Sequence, residues 1–196
     1  MAVLLMRSDQ LGALEPTREK NMHDHAVATS QVSAKAALAA AVVAGIVFMM
    51  LEMILVPVFM GGSPWGPPRM IAAIGMGKGV LPPPANFDTV IMMVAMAIHF
   101  GLSVVFAFVF AFIARGRAMG MAIGLGVVFG LVVYLVSFYG MTAIFPWFAM
   151  ARGWIPIFAH VVYGAVLGWV YVSVARKTAE RKTPVRQGAG HSQASK

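Results

Sequence analysis

An all-α, membrane-embedded four-helix bundle is predicted by three observations. Hydrophobic residues make up 60% of the chain and charged residues 11%. Mean hydropathy is +0.80, far above that of soluble domains. Four apolar stretches, 36–60, 89–114, 119–144 and 154–174, each reach the roughly 20 residues that a hydrocarbon core of about 30 Å requires.

The elements follow in order along the chain. Residues 1–35 mix charge, Ser and Thr without a useful apolar face and are expected to form a mobile N-terminal segment. The opening MAVLLM is too short for a secretory h-region and lacks a basic n-region, so no cleaved leader is expected and the first span inserts the chain. Span one, 36–60, carries Pro57 near its end, where a missing N–H leaves the Met53 carbonyl without its helical donor and predicts a kink beside Glu52.

The connection 61–88 is 28 residues long, too long to lack structure of its own. It begins with the turn-forming GGSPWGPPR, in which Trp65 suits a membrane interface and Arg69 a lipid phosphate or an acidic partner such as Glu52. The following MIAAIGMGKGV predicts a short interfacial or re-entrant helix, ended by Pro82, Pro83 and Pro84. Asp88 or Asn86 can cap span two. Spans two and three are joined tightly around Arg115 and Arg117, and spans three and four by FPWFAMARGWIP with its interfacial Trp147. Each hairpin thus has a Pro-Trp loop and a histidine in its second helix, the pattern of a parallel repeat. The basic segment 176–196 is expected to be a disordered cytoplasmic tail.

Basic residues near span ends are retained on the cytoplasmic side. With the N-terminus inside, 12 of the 15 Lys and Arg are cytoplasmic, leaving Arg69, Lys78 and Arg152 outside. An N-in, C-in topology therefore accounts for most of the net charge of +8. The C-terminal tail adds attraction to anionic headgroups. Nucleic acid is not an expected partner, because the basic residues are scattered and lack interleaved stacking aromatics. The chain has no cysteine, which excludes disulfides, thiolate metal sites and covalent haem attachment.

Three titratable residues lie inside the apolar stretches: Glu52 in span one, His99 in span two and His160 in span four. Ionisable groups in hydrocarbon cost several kcal/mol unless paired, neutralised or hydrated, so they mark functional positions. Each lies on a face of small residues, the faces through which membrane helices pack. Ala41 and Gly45 precede Glu52, Gly126 and Gly130 lead to Tyr134 and Ser137, and Gly164 and Gly168 follow His160 at intervals of four. At 1.5 Å per residue, Glu52, His160 and His99 lie roughly 12, 9 and 15 Å from the outer ends of their spans, and Tyr134 and Ser137 at about 10 to 15 Å. One inward-facing cluster in the outer half of the bundle is the expectation.

Each of these groups also has a plainer structural role to weigh, as a helix-to-helix hydrogen bonder. The methionines around the cluster read as apolar filler rather than Cu(I) ligands. His23, His25 and His191 read as solvated tail residues rather than a metal site. Three functional classes follow. The first is a small transport, permeation or proton-linked protein using the Glu/His cluster. The second is a redox protein with His99 and His160 as axial haem ligands, or with Glu52 completing a two-His, one-carboxylate metal site. The third is a scaffold or accessory subunit, alone, as a homo-oligomer or in a larger membrane complex. No cofactor is required by the sequence, and no enzyme is expected because no nucleophile with a base and oxyanion donors can be assembled.

Glu52, the Pro67-Pro68-Arg69 tripeptide, the HFGLSVVFAF run from His99, Phe145-Pro146 and the AHVVYGAVLG run from Ala159 together resemble the YagU-type proteins. Related small four-helix bacterial families share the likeness, which covers roughly residues 45–171. It implies a four-helix protein of the bacterial inner membrane without an assigned activity.

Overall fold

Small residues dominate the buried faces, and they set how closely the helices pack. The computed structural model describes residues 32–182. It contains five α-helices: α1 (Ala34–Met60), α2 (Gly66–Met76), α3 (Thr89–Ala114), α4 (Met119–Leu135) and α5 (Trp154–Lys182). The spans built on α1, α3, α4 and α5 are long and apolar enough to cross a membrane. The chain is an all-α, multi-pass membrane protein. Its exposed surface, with Ile46, Val58, Val105, Phe112 and Val128, is the face such a protein gives to lipid.

Local chemistry fixes the helix ends. Ser33 Oγ accepts from Ala36 N at 3.3 Å, starting α1 two residues before the expected boundary. Gly61 ends α1 in the left-handed conformation, at φ 65°, with its N–H on the Pro57 carbonyl. Of the two expected caps for α3 it is Asp88 that serves, its Oδ1 accepting from Ile91 N at 2.9 Å. Pro57 falls in the last turn of α1, which continues to Met60.

The buried stripe of α1 runs through Ala37, Ala41, Ala44 and Gly45 to Glu52, and that of α3 through Ala95, His99, Ser103, Ala107 and Ala111. The closest approach joins α4 and α5. A Cβ on Gly126 or Gly130 would overlap the Gly164 or His160 carbonyl, and one on Gly164 would overlap the carbonyl of Gly126. These helices meet backbone to backbone, as their glycine spacing predicts. Helix α5 packs extensively on both α4 and α1, and α3 packs on α1. The fourth side of this square is sparse. Helices α3 and α4 meet chiefly where Phe106 and Phe110 face Phe129, with ring centroids at 6.4 and 5.5 Å.

Span three runs from Met119 to Ala143, close to the expected 119–144 and long and apolar enough to cross a membrane, but its α-helical bonding stops at Leu135 and gives way to a π turn (Val136–Gly140) and a 3-10 turn (Met141–Ala143). Arg152 holds this widened segment, donating from Nε to the Phe138 carbonyl at 2.8 Å and lying 4.2 Å from the Tyr139 ring centroid. Within the tail expected at 176–196, residues 176–182 continue α5, since ARKTAERK consists mostly of good helix formers and the first proline comes only at Pro184. The rest of that tail, most of the N-terminal segment 1–35, and His23, His25 and His191 lie outside the described residues.

Candidate functional site

The two long connections meet over one end of the bundle. In the first, Pro67 and Pro68 open α2, where a missing N–H costs nothing. Helix α2 then packs along α3 through Ala72, Ile91 and Ala95, and a Cβ on Gly75 would sit 3.1 Å from Ile98. Arg69 fixes the return of the chain. Its Nη1 donates to the Val80 carbonyl at 2.8 Å, and its Nε and Nη2 donate to the Asn86 carbonyl at 3.0 and 2.9 Å. The expected reach of Arg69 towards Glu52 does not occur, because three hydrogen bonds to these two backbone carbonyls take up the guanidinium. Ser63 Oγ donates to the Ala85 carbonyl at 2.5 Å and closes the base of the same loop.

In the second connection, residues Pro146–Ala151 form a 3-10 segment. Trp147 is buried rather than displayed at an interface, and its Nε1 donates to the Met70 carbonyl of α2 at 3.1 Å. That bond ties the two connections into one roof. Trp65 is half-buried and meets the Phe87 ring edge-on at 5.0 Å. The Pro-Trp pairs therefore serve different ends, and the two hairpins are not alike in their loops.

Beneath the roof lies a cavity of about 650 Å³, within the range of roughly 300–1,000 Å³ typical of small-molecule sites. Glu52, His99, Ser137 and His160 all line it. Tyr134 does not. Its ring stacks on Phe138 at 5.0 Å, and Phe138 takes the cavity-facing position instead.

The polar groups are anchored unequally. His99 Nε2 donates to the Gly45 carbonyl of α1 at 2.9 Å, bridging two helices. His160 Nδ1 donates to the Pro156 carbonyl one turn back in its own helix at 2.7 Å. In an uncharged imidazole the remaining nitrogen is then an acceptor, Nδ1 in His99 and Nε2 in His160. Phe48 packs against both rings, centroid to centroid at 5.6 Å for His99 and 4.7 Å for His160. Glu52 is only 8% exposed, and its Oε1 has no hydrogen-bond partner among the described residues. A buried, unpartnered carboxyl oxygen forfeits about 1–3 kcal/mol of solvation. Fold stability does not call for that arrangement.

Two wall residues escaped sequence reasoning. Ser103 Oγ donates to the Ala41 carbonyl at 2.8 Å, and Tyr163 OH lies 3.2 Å from Ser103 Oγ. Ser103 could have been found, since it follows His99 by four residues on the same stripe. Tyr163 could have been found one turn after His160. The three titratable residues share a cavity, yet none hydrogen-bonds another. No group of three or more His, Asp or Glu side chains among the described residues is arranged to hold a metal ion.

No family model, no curated protein and no solved structure matches this chain.

Proposed function

We propose that the chain is a small transport or permeation protein of the bacterial cytoplasmic membrane, with Glu52, His99 and His160 as the polar wall of an intramembrane solute site. One observation carries the reading: three titratable side chains from three different spans converge on a single cavity. The unpartnered Glu52 oxygen favours a solute site over a pure scaffold, because a packing pin is bonded to its neighbour. The nitrogen that each ring leaves free of its backbone carbonyl could serve a haem or metal as well as a solute, so the preference for a solute site rests on the unpartnered Glu52 oxygen.

The distribution of basic residues supports an N-in, C-in placement, which puts the roof of α2 and residues 146–151 on the outer face and α2 at the interface. The C-terminal tail would then meet anionic headgroups on the inner face. The likeness to YagU-type proteins agrees with this location.

The absence of native cysteine makes thiol accessibility a clean test. Ser137→Cys in sealed vesicles should react with a small membrane-impermeant maleimide added to the roof side, and Leu167→Cys, in the closed core, should not. Vesicles holding a pH-sensitive dye should show proton-linked flux that Glu52→Gln abolishes. A Ser137→Cys protein inert from both sides, together with equal flux in wild type and Glu52→Gln, would end this reading.

A further inference from the structure

We propose that the cavity takes a single-tailed amphiphile with a hydroxyl head, entering from the lipid between α3 and α4 and hydrogen-bonding through that hydroxyl to the Glu52 carboxyl. This rests on the reading of the cavity as a binding site and specifies its ligand.

The mouths of the cavity point to the route. Most lining residues are buried or half-buried, but two groups are open. Leu102 on α3 is 42% exposed and Val136, just past α4, is 52% exposed, while Met60 and Met150 at the roof are 65% and 77% exposed. Leu102 and Val136 flank the side of the square where α3 and α4 separate beyond Phe106, Phe110 and Phe129. Leu102 lies 13 residues into α3, close to the middle of a span at 1.5 Å per residue. This mouth faces hydrocarbon, where water and hydrophilic solutes are scarce and amphiphiles are abundant.

The walls specify the tail. Apart from the few polar groups already described, they are built from Phe, Ile, Val, Leu, Met, Ala, Gly and Pro side chains, with no Lys, Arg or Asp among them. A cavity of about 650 Å³ suits one small ligand or a single tail.

Hydrogen-bond accounting specifies the head. The donors on the walls are already spent on protein acceptors. Ser63 donates to the Ala85 carbonyl, His99 to Gly45, Ser103 to Ala41 and His160 to Pro156. With the Ser103 proton committed to Ala41, the Tyr163 hydroxyl is the donor in its bond to Ser103. Ser137 alone has no such commitment. Apart from Ser137, the groups left without a protein partner are the Glu52 carboxyl, whose Oε1 is enclosed by protein, and the second nitrogen of each uncharged imidazole, an acceptor. A ligand that can only accept, such as a ketone or an ester, would leave both imidazole acceptors unpaired. An alcohol or phenol both donates and accepts, so it pairs with an imidazole and with the carboxyl in either of its protonation states, and a site built around a donor discriminates strongly against the analogue lacking one.

The test uses full-length protein in lipid nanodiscs and three diazirine-bearing probes of equal chain length: a primary alcohol, the matched alkane and the matched primary amine. Labelled residues are located by mass spectrometry, with excess unlabelled alcohol as competitor. The alcohol should label the cavity walls of α3 and α4, and the competitor should suppress that labelling. Glu52→Gln, which keeps an acceptor oxygen, should retain binding. Glu52→Leu should weaken it about tenfold, the effect of one buried hydrogen bond. Val136→Trp, which narrows the lateral mouth without touching Glu52, should reduce labelling in a protein whose circular dichroism is unchanged. Equal labelling by alkane and alcohol, indifferent to Glu52→Leu, would mean that any lipid tail fills the space and would overturn the proposal. Preference for the amine would overturn it in favour of a cationic head, with the cavity still a binding site. Labelling of the cavity by none of the probes would remove both the proposal and the binding-site reading beneath it.

Discussion

Replacing Gly164 with alanine tests whether α4 and α5 meet backbone to backbone. A Cβ at this position would overlap the Gly126 carbonyl oxygen, lie 2.7 Å from its carbon and lie 3.1 Å from Gly130 N. All three obstacles are backbone atoms, so no side chain can swing aside and the helices must separate. Alanine is intrinsically favoured over glycine in a helix by about 0.5–1 kcal/mol, and this gain acts against the clash. Overpacking typically costs 1–3 kcal/mol, and a radial gap of 0.5–1 Å forfeits a quarter to a half of the dispersion energy along a contact. Separation here spreads along the whole stripe from Gly126 to Gly168, so the cost lies at the top of that range. A net destabilisation of about 2–2.5 kcal/mol follows. Gly101 supplies the control, because a Cβ there meets nothing within 4 Å and the position is exposed. Gly101→Ala should stabilise by about 0.5–1 kcal/mol. Unfolding by sodium dodecyl sulfate in mixed micelles, followed by circular dichroism, reads both variants. Gly164→Ala as stable as Gly101→Ala would refute the close approach and the α4–α5 geometry that positions His160.

Further outcomes follow from the same contacts. Glu52→Leu should raise stability by about 1 kcal/mol or more in the same assay while abolishing function, because no histidine depends on Glu52 and its unpaired oxygen is lost; a loss of stability would reveal a partner for the carboxyl. Arg69→Ala should cost about 2–3 kcal/mol, since three charge-assisted bonds close the first connection. Arg152→Ala should cost less but measurably through Phe138 and Tyr139, and exposed Lys78→Ala almost nothing; equal tolerance of all three in thermal melts would refute the clamp. Reporter fusions at Lys196 and near Lys78 should report opposite sides of the membrane, and the same side for both would refute the N-in, C-in placement.

Hydrophobic length and residue size were legible without any coordinates. Four spans follow from runs of about 20 apolar residues, and the inward faces follow from Gly126, Gly130, Gly164 and Gly168, because close packing in lipid needs small side chains at helical spacing. Glu52, His99 and His160 stood out for the same local reason, the cost of an ionisable group in hydrocarbon. Whether those groups served each other was not legible. Hydrogen-bond partners such as Gly45 for His99, or the Met70 carbonyl for Trp147, lie 54 and 77 residues away in sequence, and backbone carbonyls leave no mark on residue identity. The π turn after Leu135 was hidden similarly, since Arg152 holds it through tertiary contact against an uninterrupted apolar run. Above all, the sequence gives no sign that the square is left open between α3 and α4. That opening depends on how four mutual packings divide the available surface, a property of the assembled helices and of no single stripe.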